Sequence, residues 1–210
     1  MMSSPPLGRM RPQRRDGTEA FELSGQTQEF NVHEYWAWAV SDLVSNATRG
    51  VLAEYIVAKA CNIDTSQPRD EWAAVDLLTP DGVSVEVKSA AYIQAWYQDR
   101  FSEISFGVRK TLKWDPDTNQ RSGEPHRAAD VYVFALLAHK DQETLDPLNL
   151  DQWDFYVLPT AVLDARERSQ HSITLPSLKR LKAGPHQYTE LHSAVLKAGK
   201  EHRDAKGIHS

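Results

Sequence analysis

The sequence predicts an α/β fold, with a mixed central sheet of about five strands flanked by helices. Three observations carry that expectation. Residues 72–98 hold two β-compatible runs joined by Thr79-Pro80-Asp81-Gly82. Proline suits the first central position of such a turn, and glycine supplies the left-handed residue that closes a three-residue hairpin loop. After Asp130, residues 131–138, Val-Tyr-Val-Phe-Ala-Leu-Leu-Ala, form an unbroken apolar run, as in a strand buried on both faces. Helix-period segments precede the hairpin and close the chain, so the order helix, helix, hairpin, strand, strand, strand, helices suggests one layered domain over residues 18–198.

The elements follow in order. Residues 1–17, rich in proline and arginine, are expected to be a disordered basic tail. Tyr35, Trp36, Ala39, Val40 and Leu43 recur at helical spacing, which predicts a helix near 32–45 with Trp36 in the core. A second helix near 47–61 is apolar nearly all round and should be buried. Its single acid, Glu54, needs compensation there, either from Arg49 or Lys59 or from a bound ion. After the hairpin, Ala90–Gln98 fits a helix or an extension of the strand. Ile104, Phe106 and Val108 alternate as a further strand, and 110–129 is expected to be a mobile basic loop. Trp153–Leu158 is a strand ended by Pro159, and Thr160 is placed to cap a short helix through Arg168. A short strand over Ser172–Leu175, helices near 177–183 and 187–198, and a flexible tail over 199–210 complete the expectation.

Composition narrows the function classes. At 40% hydrophobic and 25% charged residues the chain is an ordinary globular protein. It has no run of about 18 apolar residues and no secretory leader, so the expected location is the cytoplasm, away from membranes. The single cysteine, Cys61, cannot form an internal disulfide and is assigned to packing. None of the histidines has zinc-ligand spacing, and no phosphate-binding glycine loop or nucleophile elbow occurs. The net charge of −5 is uneven: residues 1–15 hold four arginines and no acid, and residues 176–210 hold seven Lys/Arg against three acids. The middle is therefore acidic, and it would repel phosphates unless divalent cations occupied it.

The hairpin supplies a place for such a cation. With Thr79 and Val83 flanking a three-residue loop, Asp76 stands opposite Glu86 on one face of the sheet, whereas a two-residue loop would send the two acids to opposite faces. Directly opposed residues have Cβ atoms roughly 4.5–5.5 Å apart. Strand alternation puts Val83, Val85 and Val87 on one side and Ser84, Glu86 and Lys88 on the other. Asp76 and Glu86 are hard oxygen ligands, the Val87 carbonyl can add a third, Lys88 lies beside them, and Glu54 reaches in from the helix. That donor set suits Mg²⁺ and the hydrolysis of a phosphodiester.

Asp76, nine intervening residues, Glu86-Val87-Lys88 and an upstream helix with Glu54 together resemble the PD-(D/E)XK nuclease superfamily. Val75 stands where that family usually has a proline. The resemblance implies a restriction-endonuclease-like αβββαβ core, Mg²⁺ with Mn²⁺ able to substitute, and DNA in preference to RNA. It also implies a site role for Gln94, since some branches place a glutamine after the lysine. The favoured reading is thus a Mg²⁺-dependent nuclease, with endo- and exonucleolytic cutting both open. Lys110, Lys113, Arg121 and Arg127 in the polar segment, and Lys179, Arg180 and Lys182 near the C-terminus, are the expected nucleic-acid contacts. The alternative is a non-catalytic nucleic-acid or protein interaction module on the same fold. No separate recognition domain is evident, which leaves room for a targeting partner or a homodimer.

Overall fold

The computed structural model describes residues 7–115, 117–167 and 169–207. In chain order the elements are β1 (Ala20–Leu23), β2 (Gln26–Asn31), α1 (Val32–Val40), α2 (Asn46–Ala60), β3 (Leu77–Leu78), β4 (Ser84–Ala91), β5 (Ser105–Gly107), β6 (Thr111–Asp115), β7 (Gln120–His126), β8 (Val131–Leu137), β9 (Trp153–Pro159), α3 (Thr160–Asp164), β10 (Ser172–Thr174), α4 (Leu175–Arg180) and α5 (Leu191–Lys206). The central sheet has four strands in the order β3-β4-β8-β9. β3 is antiparallel to β4, β4 parallel to β8, and β8 antiparallel to β9.

The hairpin forms in the expected register. Leu77 pairs with Val85 and Leu78 with Ser84, which continues to Asp76 opposite Glu86. Gly82 has φ 76°, and its N–H donates to the Thr79 carbonyl at 2.9 Å. Val83, Val85 and Val87 are buried in a core completed by Ala53, Ile56 and Val57 of α2 and by Leu191, Val195 and Ala198 of α5. On the other face, Tyr132, Phe134 and Leu136 of β8 pack with Ile104, Phe106, Val108 and Leu178. Two helices thus cover the valine face, while Glu86 and Lys88 share their face with aromatic residues.

Several expectations give way to tertiary packing. The alternating stretch Ile104–Val108 forms β5 but does not join the central sheet. It pairs with β10 instead. This one of the five expected strands is in a separate two-stranded ribbon. Residues 110–129 form the β6–β7 hairpin instead of a mobile loop. Every residue of β7 is exposed, so no apolar alternation marks it in the sequence. Ala90–Gln98 is strand only through Ala91, and the described residues between β4 and β8 contain no helix. The α-β-β-β-α-β order implied by the resemblance is not reproduced at that point. Thr160 opens α3, whose N-cap is Pro159, and its hydroxyl donates to the Ala129 carbonyl at 2.5 Å. Arg168 lies outside the described residues.

Helix α1 buries none of its residues. Its apolar stripe, expected in the core, stays open: Trp36 is 37% exposed and Trp38 85%. β1 and β2, which the sequence did not suggest, precede it. Residues 7–17 have no regular structure, but Arg9 pairs with Asp70 and Arg14 donates to the Ser66 carbonyl at 2.5 Å. Residues 1–6 of the expected tail lie outside the described residues.

The stretch from Gly199, read from sequence as a loose tail, continues α5 to Lys206. Gly199 and His202 are buried there. A Cβ on Gly199 would stand 2.8 Å from both γ-carbons of Val83, so this glycine lets α5 approach β4. Alanine would gain about 1 kcal/mol of helix propensity, but the stiff Val83 side chain cannot yield without moving the strand. Gly199→Ala should therefore destabilise the protein by about 1–2 kcal/mol, within the usual cost of overpacking. Urea denaturation checks this; a stabilised variant would mean that α5 does not press on Val83.

Candidate active site at the open edge of β4

The hairpin ladder ends at Leu77, and the chain before it bends away from β4. The amide that would have continued the ladder is that of Val87, and the Asp76 carboxylate takes it: Val87 N–H donates to Oδ2 at 2.8 Å. In a strand the N–H and C=O of one residue point to the same edge, so the Val87 carbonyl also faces the edge where Asp76 stands. One residue before and one after, Glu86 and Lys88 project to the same face. Lys88 Nζ donates to Glu86 Oε1 at 2.5 Å. Asp76, Glu86, Lys88 and the Val87 backbone are therefore gathered by hairpin register and strand alternation.

Glu54 approaches from α2, on the valine side of the sheet. It shares a cleft of about 340 Å³ with Tyr55, Arg69, Asp76, Leu77 and Leu78. Its cation is Arg69, whose Nε lies 3.0 Å from Oε2, and not Arg49 or Lys59. Arg49 is buried, and among the described residues no carboxylate pairs with it. It donates to the Val44 carbonyl at 2.7 Å and to Ser89 Oγ at 3.3 Å, and burial pulls its guanidinium down from the ordinary arginine value.

The electrostatics show which acids interact. Burial pushes the Glu86 carboxyl above the ordinary glutamate value; Lys88 opposes the shift and Asp76 adds to it. Burial likewise raises Glu54, Asp76 raises it further, and Arg69 and Lys88 act against the rise. Asp76 is thus the shared neighbour of two partly desolvated carboxylates. Among the described residues no three acids, histidines or cysteines stand close enough together to hold one ion. Two carboxylates and a carbonyl nevertheless match what Mg²⁺ asks of a protein, since water and phosphate oxygens complete its shell. The donors are all hard oxygens, and the negative charge at Glu86 and Asp76 is only partly offset. The residues present fit such an ion.

The other expected site residues divide. Gln94 does not join the carboxylates. Its Oε1 accepts from Arg49 at 3.4 Å, and its Nε2 donates to the Ala91 carbonyl at 2.8 Å and to Ser102 Oγ at 3.1 Å, so it braces the loop after β4. Arg127 is internal: its side chain is 0% exposed, and it donates to the Val108 carbonyl, Asp164 and Gln170. Those bonds commit it to the fold and not to a phosphate. Lys110 lies 3.7 Å from the same Asp164 but remains exposed, as do Lys113, Arg121, Lys179, Arg180 and Lys182. Cys61 is buried, which pushes its thiol up to about 11; at neutral pH it is protonated packing material.

Two neighbours of the site were not legible beforehand. Arg69 sits in a polar loop without periodicity. Tyr132 stands beside Glu86 in the parallel ladder, and burial, followed by the Glu86 charge, pushes its phenol well up. Only the strand pairing reveals it.

Comparison with known proteins bears on the whole constellation. The model of one family, described as bacteriophage T4 endonuclease IV, matches residues 25–176. That span contains Glu54, Asp76, Glu86 and Lys88. No curated protein matches the chain.

Proposed function

The chain belongs to the bacteriophage T4 endonuclease IV family and is an endonuclease; from that premise we propose that it cuts DNA at the β4 edge with Mg²⁺ held by Asp76 and Glu86. Mn²⁺ should substitute. The observation that carries the reading is the meeting of Asp76 with the Val87 backbone at 2.8 Å, one residue from the Glu86–Lys88 pair at 2.5 Å. The same Asp…Glu-x-Lys order supports placing the chemistry with the PD-(D/E)XK nucleases.

Asp76, Glu86 and the Val87 carbonyl would hold the ion. When bound, it supplies a water of lowered pKa and a counter-charge for the phosphate oxygens. Asp76 is fixed by the Val87 amide, so its carboxylate faces the ion without losing order. Lys88, released from Glu86 when that carboxylate is engaged elsewhere, can orient the attacking water and offset charge on the transition state. Glu54, tied to Arg69, steadies the outer side of the site and keeps a second acid beside Asp76. The exposed cations Lys110, Lys113, Arg121, Lys179, Arg180 and Lys182 are suited to the DNA backbone, which the acidic centre would otherwise repel.

Asp76→Asn tests the site. Asparagine keeps an oxygen for the Val87 amide, so the fold should survive. Losing the charge relieves repulsion with Glu86 and Glu54, so the metal-free variant should unfold at slightly higher urea than wild type. Mn²⁺ binding by calorimetry and Mg²⁺-dependent plasmid cleavage should both disappear. Equal Mn²⁺ binding by the two proteins would overturn the assignment. A wild type that binds DNA but leaves it uncut with Mg²⁺ or Mn²⁺ would return the interaction-module reading.

The raised carboxyls also set a pH dependence. A carboxyl whose pKa is higher folded than unfolded costs stability above its folded pKa, and that cost fades as protons bind. Between neutrality and the ordinary glutamate value, the metal-free protein should therefore gain stability from Glu86 and Glu54 as pH falls. Glu86→Gln should flatten that gain in urea titrations at successive pH values. An unchanged slope would mean that Glu86 is not the responsible group.

A further inference from the structure

A second cleft, of about 880 Å³, is separate from the one that holds Asp76. It opens between residues 72–74 and the β6–β7 hairpin, with Trp72, Trp114, Lys113, Arg121 and His126 in its wall. No carboxylate lines it. Trp72 is 60% exposed, although its ring touches Trp114. Trp114 is oriented by its Nε1–H, which donates to Asn119 Oδ1 at 3.1 Å. The two ring centroids are 5.2 Å apart and the planes tilted by 57°. That is direct contact, so a third ring cannot enter between them and must lie on the open face of Trp72.

Cations with an exposed aromatic surface form the usual platform for a nucleic-acid strand: the rings stack on bases and the cations follow the backbone. Asp70, the acid bonded to Trp72, accepts from the Trp72 amide at 3.1 Å and is paired with Arg9. Position strengthens the case. Ala74, in the wall of the cleft, is two residues from Asp76, so the two lie no more than about 7 Å apart along the chain. Trp72 itself is four residues from Asp76, so the two backbones lie no more than about 14 Å apart, within the reach of a short stretch of strand. Resting on the DNA-endonuclease reading and deepening it, we propose that this cleft is a base-stacking subsite for an unpaired nucleotide near the scissile phosphate. Trp72 takes the base, while Lys113 and Arg121 take the flanking phosphates. An unpaired base can come from a single strand or be extruded from a duplex.

The test is binding by the full chain in EDTA, so that cleavage does not intervene. The probes are a labelled single-stranded oligonucleotide, the same strand with abasic sites, a fully paired duplex and a duplex with one unpaired base. Wild type should prefer the strand with bases to the abasic one. Trp72→Ala should weaken binding of the former roughly 5- to 150-fold, the loss expected for one stacked base, and leave abasic binding unchanged. Trp72→Phe should keep most of the affinity. Lys113→Glu should weaken binding to both strands and flatten the salt dependence. Trp72 dependence on the single strand alone, or on the duplex with the unpaired base as well, identifies the source of the nucleotide; either supports the subsite. Identical affinities of wild type and Trp72→Ala for every probe, with Mg²⁺-dependent cleavage intact, would overturn the subsite and leave the nuclease standing. A wild type that neither binds nor cuts DNA would overturn both.

Discussion

Lys88→Ala should fold, bind Mn²⁺ and bind DNA as wild type does, yet cut DNA on the order of 10²–10³-fold more slowly. The size is that typically lost with one preorganised group aimed at developing charge. The side chain is 34% exposed and makes its charged contact with Glu86 alone among the described residues. Removing it leaves the partly buried Glu86 without its cation, so a modest loss of stability should accompany the much larger loss of activity. Lys88→Arg should recover little, because a planar guanidinium does not reproduce a compact ammonium. Plasmid nicking at saturating Mg²⁺, with EDTA as control, measures the effect. Full activity in Lys88→Ala would place the chemistry elsewhere in the molecule.

Arg127→Ala should damage the fold far more than it damages DNA binding. The guanidinium is wholly buried, lies 2.6 Å from Asp164, and ties the start of β8 to Val108 and Gln170. Asp164 is 27% exposed and keeps Lys110 and Lys206 at 3.7 Å, so the main cost is the orphaned Val108 and Gln170 acceptors, about 1–3 kcal/mol each. Lys110→Ala, on the same carboxylate but exposed, should cost under about 1 kcal/mol. Urea titrations of the two variants give the contrast directly. An Arg127→Ala protein with wild-type stability and weakened DNA binding would restore the phosphate-contact role read from the sequence.

Much of the candidate edge was legible without coordinates. Turn chemistry is local: Pro80, Asp81 and Gly82 select a three-residue loop, and the loop selects the register that sets Asp76 opposite Glu86. Strand alternation then separates Val85 and Val87 from Glu86 and Lys88. Charge roles were not legible in the same way. Lys110, Lys113, Arg121 and Arg127 looked equivalent in a polar segment, yet one of them is internal. Gln94, placed by family analogy, serves Arg49 and Ser102 instead.

By itself, then, the sequence determined what depends on neighbours along the chain: the hairpin and its register, the buried strand β8, and the order of acids and lysine on one strand; it also located helix α2 but not its burial, since only one side is covered and Val51 and Tyr55 are exposed. Tertiary structure alone decided what depends on segments far apart. It set Arg69 against Glu54, enclosed Arg127 around Asp164, left α1 uncovered, paired β5 with β10, and pressed Gly199 against Val83. The physical reason is range. Turn geometry and side-chain alternation are written into a few consecutive residues, whereas burial and ion pairing are settled only when distant segments pack, and a charged residue looks the same in sequence whichever side of that contact it ends on.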